Sequence, residues 1–413
     1  MLLVGADWCS QPLLPQMSNT TSEKKHSLRL TTSVATTRYD RQERVTPRHQ
    51  IIPIGLFGIG HSPNPPYLPP LWAECVHPEG SYYFVRNSQP RVVTEANLRK
   101  PEIQKKIADW LDDINTFLTA NDIQLPPTVE LTLDPSEDLE DCAYYFVDHA
   151  SRIEFWVDPV STDQLGMRTS MSEAHLRYAL EEHYWTHVEH FPSHKAQEME
   201  LCFAQLFDIL LHAHADMTSS NVSTYPFCRE ELASYIQILT AARDADRLDS
   251  PHMRWTIARL WAVLYNHRFM THYNQDVCRM SRDQSIIDFG TKLESRTFSL
   301  LSTLSFRTAS TYKAALQRLW VDEIVYISDW RPFIAASHQD WLISVCMSFA
   351  LLLCNLVSLQ TPFSIEIFVL LSAVVCNAAI LCGVTLMMKH QGAQSMTADE
   401  AVSICAFNEA EMC

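Results

Sequence analysis

The chain has 413 residues, which is enough for two or three domains. Its 48 acidic residues outnumber 32 Lys and Arg residues, and the net charge of −16 argues against a nucleic-acid partner because phosphate binding needs a basic face. Only nine glycines, together with long runs of helical apolar periodicity, predict a mainly α protein. The 12 cysteines are scattered without a Cys-x-x-Cys motif, which is typical of reduced thiols in the cytosol.

Residues 1–60 are rich in Ser, Thr and Arg and lack periodicity, so we predict a disordered, locally basic arm. Its basic residues could contact an anionic membrane surface, but a charge run of this kind is more often a solvated tail, which is our interpretation. The run Ser62–Pro70 follows and predicts an extended polyproline linker.

Segment 61–100 contains an opening Pro pair before Trp72, a Pro/Gly turn at His77–Gly80 and the aromatic run Tyr82–Val85. This pattern resembles a WW domain, which implies a small antiparallel β module. Thr94 stands where the family's second Trp is expected, so we predict a structural role for this module. A connecting helix is predicted over 101–122, with Pro at its first turn and a broad apolar stripe that must be buried.

Segment 123–162 contains two aromatic-rich runs on either side of the polar turn His149–Arg152, which predicts an antiparallel hairpin. Period-2 alternation puts one set of side chains on a single face of that hairpin. The set is Tyr145, Val147, His149, Glu154 and Trp156.

The run Tyr144–His149, the Trp seven residues after His149 and the Pro three residues after that Trp resemble the second and third strands of a WW domain. The resemblance implies that Tyr145 and Trp156 form a slot for a proline-rich peptide. It also implies that Val147, His149 and Arg152 form a pocket for a ligand tyrosine. Glu154 replaces the family's usual Thr or Ser, and Val129 replaces its first Trp.

Residues 168–330 predict a helical domain. A capping box at Ser170–Glu173 predicts the start of its first helix, and the apolar spacing predicts further helices near 203–211 and 230–245, from Ser250 onward, and over 285–330.

His183, His187 and His190 occupy positions i, i+4 and i+7 of the first of these helices. Three imidazoles on one helix face are candidate zinc ligands. The alternative is that they fill the core and hydrogen-bond to neighbours.

Trp341–Leu359 has no charged residue, and Phe363–Met388 is apolar apart from Glu366. Each run is long enough to span a hydrocarbon core of about 30 Å. The short connection between them predicts a transmembrane hairpin over 341–388 with both ends on one side. Arg331 and Lys389 favour the cytosol for that side, which also makes 389–413 a cytosolic tail.

The sequence thus predicts a mainly α fold: a helical domain with two small WW-like antiparallel β modules at the N-terminal side and a C-terminal two-helix transmembrane hairpin. This layout resembles fungal membrane-anchored proteins with WW-like segments. The predicted function is an integral membrane adaptor with cytosolic termini, which is held by the lipid bilayer and binds proline-rich segments of its partners.

The sequence contains no glycine-rich phosphate loop, and we expect no cofactor. Two alternatives stay open. One is a metal-dependent enzyme of the helical domain that uses His183, His187 and His190, and the other is a purely structural role for the WW-like modules.

Overall fold

The computed structural model describes residues 28–35, 38, 44–49, 51–52, 67–194, 199–287, 308–322, 324–360, 366–396 and 401. Most of the predicted arm 1–60, most of the polyproline run and most of the tail 389–413 lie outside the described residues. One piece of the predicted arm is ordered, because Leu28–Leu30 forms a strand that joins the main sheet.

The two WW-like segments share one seven-stranded sheet. The strands are β1 (Leu28–Leu30), β2 (Trp72–Val76), β3 (Tyr82–Arg86), β4 (Arg91–Thr94), β5 (Val129–Pro135), β6 (Cys142–Asp148) and β7 (Ile153–Phe155), and helix α1 is Pro101–Ala120. The spatial order is β2-β3-β4-β5-β6, and β1 and β7 pair with different parts of the outer edge of β6. The two segments meet where β4 pairs in parallel with β5, and α1 makes the connection between these strands.

One face of this sheet packs against α1. Alternate residues of β5, from Val129 to Leu133, join Tyr144 and Phe146 of β6 in a core that includes Trp110 of the helix. The predicted hairpin is present, because β6 and β7 pair antiparallel with His149–Arg152 between them.

The opposite face of the sheet packs against a helical layer. The helices of this layer are α2 (Glu173–His190), α3 (Met199–Ser219), α4 (Arg229–Asp244) and α5 (Pro251–Met270). Tyr145 and Val147 of β6 lie in one core with Tyr184 of α2, while Tyr83 and Val85 of β3 contact Phe191 just after that helix. Within the layer, the rings of Trp185 and Trp261 are stacked with centroids 5.7 Å apart.

Helix α2 begins two residues later than its predicted cap. Ser172, rather than Ser170, is the N-cap, and its side chain accepts a hydrogen bond from the backbone N–H of His175. The predicted cap of α5 is correct, since the Ser250 side chain accepts from the N–H of Met253. Ser170 and Ser172 are chemically equally suited to cap a helix, and only the backbone geometry decides which of them does so.

The predicted helix over 285–330 is interrupted within its described part. Helix α6 (Thr308–Leu319) ends in a two-stranded hairpin of β8 (Trp320–Val321) and β9 (Ile324–Val325). Asp322 sits in the turn with a positive φ of 51° and forms a buried ion pair with Arg279. This contact joins the end of the helical layer to the C-terminal helices.

Two C-terminal helices, α7 (Ile327–Ser358) and α8 (Glu366–Lys389), are long and apolar enough to cross a membrane. They pack on each other, and Asn355 of α7 donates a 2.9 Å hydrogen bond to Ser372 of α8. Only 6% and 11% of their most apolar stretches are buried, so nearly all of the apolar surface faces outward.

Helix α7 starts earlier than the predicted span at Trp341. At about 1.5 Å per residue, its 32 residues reach about 48 Å, which exceeds a hydrocarbon core of about 30 Å. Its first turns are packed against residues that follow α8: Trp330 donates a 2.7 Å hydrogen bond to the carbonyl of Ala393, and His338 to that of His390 at 3.1 Å. The start of α7 and the segment after α8 therefore pack together at one end of the helix pair, which forms its base.

Candidate functional site between the sheet and helix α2

Three chemically active side chains meet between the sheet and α2. Glu130 is the second residue of β5, His149 follows β6 directly, and His187 lies in the last turn of α2. Because Val129 and Leu131 face α1, alternation turns Glu130 toward α2. Glu130 and His187 are fully buried.

The imidazoles point their Nε2 atoms at the same carboxylate. His187 Nε2 lies 3.0 Å from Glu130 Oε1, and His149 Nε2 lies 3.7 Å from Glu130 Oε2. The three donor atoms all lie within 4.8 Å of one another. Among the described residues, Glu130, His149 and His187 are the group of metal-ligating side chains whose donor atoms lie this close together.

Tyrosine hydroxyls hold the other nitrogen of each ring. His187 Nδ1 lies 3.1 Å from the hydroxyl of Tyr145, and His149 Nδ1 lies 3.2 Å from that of Tyr184. These contacts fix the orientation of both rings.

The charge of Glu130 is balanced by Arg91, whose guanidinium contacts Oε2 and also donates a 2.9 Å hydrogen bond to Ser193. Burial alone would raise the pKa of Glu130, but Arg91 and the two histidines outweigh it and hold the pKa well below its ordinary value. Burial lowers the pKa of His187 against the opposing effect of Glu130. Near neutral pH the site therefore holds a carboxylate and a neutral His187.

His194 covers the outer side of the site. Its ring stacks on that of His149 with centroids 3.5 Å apart and planes 4° apart. Burial lowers its pKa to about 3.

The structure separates the three histidines that the sequence groups. His183 lies on the same helix face as His187, but its Nδ1 is 3.3 Å from the carboxylate of Glu154. His190 is buried beside Arg38, which donates to its backbone carbonyl at 3.0 Å. His187 instead joins Glu130 of β5 and His149, which directly follows β6, and neither residue shares a sequence motif with it.

The residues of the predicted peptide slot are brought together, but other parts of the chain cover them. Tyr145 is 4% exposed, and Val147 and Glu154 are fully buried against α2. Trp156 is half-buried and donates a 2.9 Å hydrogen bond from Nε1 to the carbonyl of Thr31. Arg152 lies in the adjoining turn with a φ of 57°. A peptide between Tyr145 and Trp156 would have to displace α2.

An open pocket lies on the other side of the sheet, between β2 and α1. It has a volume of about 340 Å³. Most of its lining residues are apolar, and three are polar or charged: Pro69, Pro70, Leu71, Trp72, Leu98, Ile107, Ala108 and Leu111, with Arg86, Gln104 and Asp112.

No family model, curated protein or solved structure matches this chain. Its function is therefore inferred from the geometry of these sites and of the C-terminal helices.

Proposed function

We propose that this protein is a membrane-anchored adaptor: α7 and α8 insert in the bilayer as a hairpin, and the sheet with its helical layers forms a cytosolic head. The observation that carries the proposal is the outward-facing apolar surface of both helices, of which only 6% and 11% is buried. A core helix of a soluble protein would bury that surface, because each apolar Å² left in water costs about 25 cal/mol.

Extraction of membranes at alkaline pH tests the anchor. We expect the full chain to stay in the membrane pellet. Leu353→Arg together with Val374→Arg should release it, because both side chains are exposed on the hairpin and charges at the bilayer centre are costly. The matched control places arginines at exposed positions of the head, Val222→Arg with Val263→Arg, and should remain in the pellet. Release of the unsubstituted chain contradicts membrane insertion.

For the WW-like segments we propose a structural role, which is one of the alternatives that the sequence leaves open. The burial of Tyr145, Val147 and Glu154 beneath α2 supports it, because a peptide slot needs an open aromatic face. The strands of both segments then serve as the sheet against which α1 and α2 pack.

The partner-binding surface that we propose is the open pocket between β2 and α1. Its volume of about 340 Å³ falls in the range of small-ligand pockets, and a mostly apolar lining with a few polar side chains is typical of them. The partner class is a peptide segment that inserts an apolar side chain beside Trp72.

Selection of peptides from a display library against the full chain in nanodiscs tests this surface. Ala108 is exposed at the pocket, so Ala108→Arg should abolish binding of the selected peptides without disturbing the core. Ala120→Arg, at an exposed alanine of the same helix outside the pocket, is the matched control and should bind normally. Binding that is lost with Trp156→Ala and kept with Ala108→Arg would instead support the WW-like slot. Failure to select any binder contradicts the adaptor function.

A further inference from the structure

We propose that Glu130, His149 and His187 form a binding site for a divalent transition-metal ion of the zinc or iron class. Two imidazoles and one carboxylate are a recurrent ligand set for these ions, with further positions left for water or substrate. This inference is independent of the adaptor function, since it concerns the opposite face of the sheet.

The spacing of the donor atoms fits a metal ion. With metal–nitrogen and metal–oxygen distances of about 2.0–2.2 Å, neighbouring ligand atoms of a tetrahedral site lie roughly 3.4 Å apart. The distance of 3.0 Å between His187 Nε2 and Glu130 Oε1 is close to that value, and the donor atoms of all three residues lie within 4.8 Å of one another.

One buried nitrogen is free to bind an ion. His149 Nε2 is buried and lacks a hydrogen-bond partner among the described residues, and the side chain is only 6% exposed. At 3.7 Å from Glu130 it is too far for a hydrogen bond. Leaving a buried polar atom unpaired is unfavourable, and a metal ion between His149 and Glu130 would pair it.

The surrounding hydroxyls match a supporting shell for metal ligands. Metal-bound histidines usually place their second nitrogen in a hydrogen bond that fixes the ring and its tautomer. Tyr145 and Tyr184 occupy those positions at 3.1 and 3.2 Å.

Arg91 defines how the carboxylate would bind the ion. Its guanidinium contacts Oε2, so Oε1, which now faces His187, is the oxygen available to the metal. The positive charge of Arg91 opposes the cation, so we expect weaker binding than at a closed structural zinc site. Arg91 and His194 are only half-buried, and they mark the side from which an ion would reach the site.

The test is a zinc titration of the full chain in nanodiscs after treatment with a chelator, using competition with a chromophoric chelator. Co²⁺ absorption serves as an independent readout of the coordination. We expect one ion per chain. His149→Gln should abolish binding, and Tyr184→Phe should weaken it by about tenfold, the usual effect of losing a supporting hydrogen bond.

His175→Gln is the matched control, because this buried histidine of the same helix has partners for both nitrogens: the carbonyl of Phe269 at 2.8 Å and the N–H of Met171 at 3.1 Å. It should bind zinc like the unsubstituted chain. Circular dichroism confirms that each variant is folded. Zinc binding that is unchanged in folded His149→Gln assigns the ion to surface histidines and overturns the proposal, as does absence of binding by the unsubstituted chain. If His149→Gln does not fold, an unchanged affinity in Tyr184→Phe overturns it.

Discussion

Arg279 and Asp322 form a buried ion pair, with side chains 0% and 1% exposed. Asp322 also accepts hydrogen bonds of 2.7 Å from Ser285 and from the N–H of Ile286. Because this aspartate lies in the turn between β8 and β9, just before α7, the pair connects the head to the proposed membrane hairpin. A buried guanidinium that loses its partner retains the full cost of desolvation.

Asp322→Asn should therefore lower the free energy of unfolding by about 3–5 kcal/mol, since asparagine keeps the positive φ and removes only the charge. Chemical denaturation of the full chain in detergent measures the change. Asp244→Asn removes the aspartate of a surface pair, whose side chains are 48% and 64% exposed, and should cost at most about 1 kcal/mol. Equal losses of unfolding free energy in the two variants would show that the buried pair stabilises the protein no more than the surface pair does.

Two buried histidines outside the proposed metal site make the head sensitive to acid. Burial lowers the pKa of His190 to about 3 and that of His267 to about 4, from an ordinary value of 6.5. Below pH 6.5 these histidines bind protons in the unfolded chain but stay neutral in the folded chain. The contribution of these two histidines to stability is thus fully present above pH 6.5 and is lost progressively as the pH falls toward 4.

The denaturation midpoint should accordingly fall between pH 7 and pH 4.5, and His267→Gln should flatten this slope. The glutamine keeps a donor for the carbonyl of Thr224, which His267 Nε2 contacts, but it does not titrate. His252→Gln, at an exposed histidine of the same helix, is the control and should leave the slope unchanged. A slope unaffected by His267→Gln would assign the acid sensitivity to other groups.

At the level of elements, the hairpin packs closely at Gly383. A Cβ added there would overlap a methyl group of Val345 on α7, whereas a Cβ at Gly392 would meet no atom within 4 Å. Small residues allow such close approach between membrane helices, whose association relies on packing and interhelical hydrogen bonds.

Gly383→Leu should force the two helices apart and destabilise the hairpin by about 1–3 kcal/mol, the usual cost of overpacking. Thermal unfolding in nanodiscs, together with resistance of the hairpin to protease, measures the effect. Gly392→Leu should behave like the unsubstituted chain. If both substitutions have the same effect, the contact between Gly383 and Val345 does not hold the hairpin together.

Elements with a strong local pattern could be predicted from the sequence. Helix α1 carries a complete apolar stripe, α5 has its Ser-Pro start, and the two apolar runs correspond to α7 and α8. The β8–β9 hairpin could not be predicted in the same way, because its strands are two residues each and leave no measurable alternation.

At the level of the whole molecule, the joining of the two β segments depends on contacts between distant residues. The parallel pairing of Arg91 with Glu130 spans the whole of α1, and no local signal encodes it. The same pairing brings Glu130 next to Arg91 and beneath His187. The sequence predicts His187 as a candidate ligand but not Glu130. The alternation Val129-Glu130-Leu131-Thr132-Leu133 indicates only that the strand has two different faces, and it does not indicate a metal site.

The N-terminal strand shows the same limit. Leu28–Leu30 lies in a segment whose composition predicts disorder, yet it completes the edge of β6 beside β7. A three-residue strand acquires its structure from the sheet that receives it, so composition averaged over 60 residues does not reveal it.

We propose that the hairpin inserts with head and tail on the same side of the membrane, because the start of α7 and the segment after α8 pack together. The most direct measurement is protease digestion of sealed membrane vesicles that contain the full chain with a different epitope at each end. We predict that external protease removes both epitopes from cytosol-out vesicles without detergent, and that only a membrane-protected hairpin fragment remains. Protection of either epitope, or complete digestion of the hairpin, would contradict this topology.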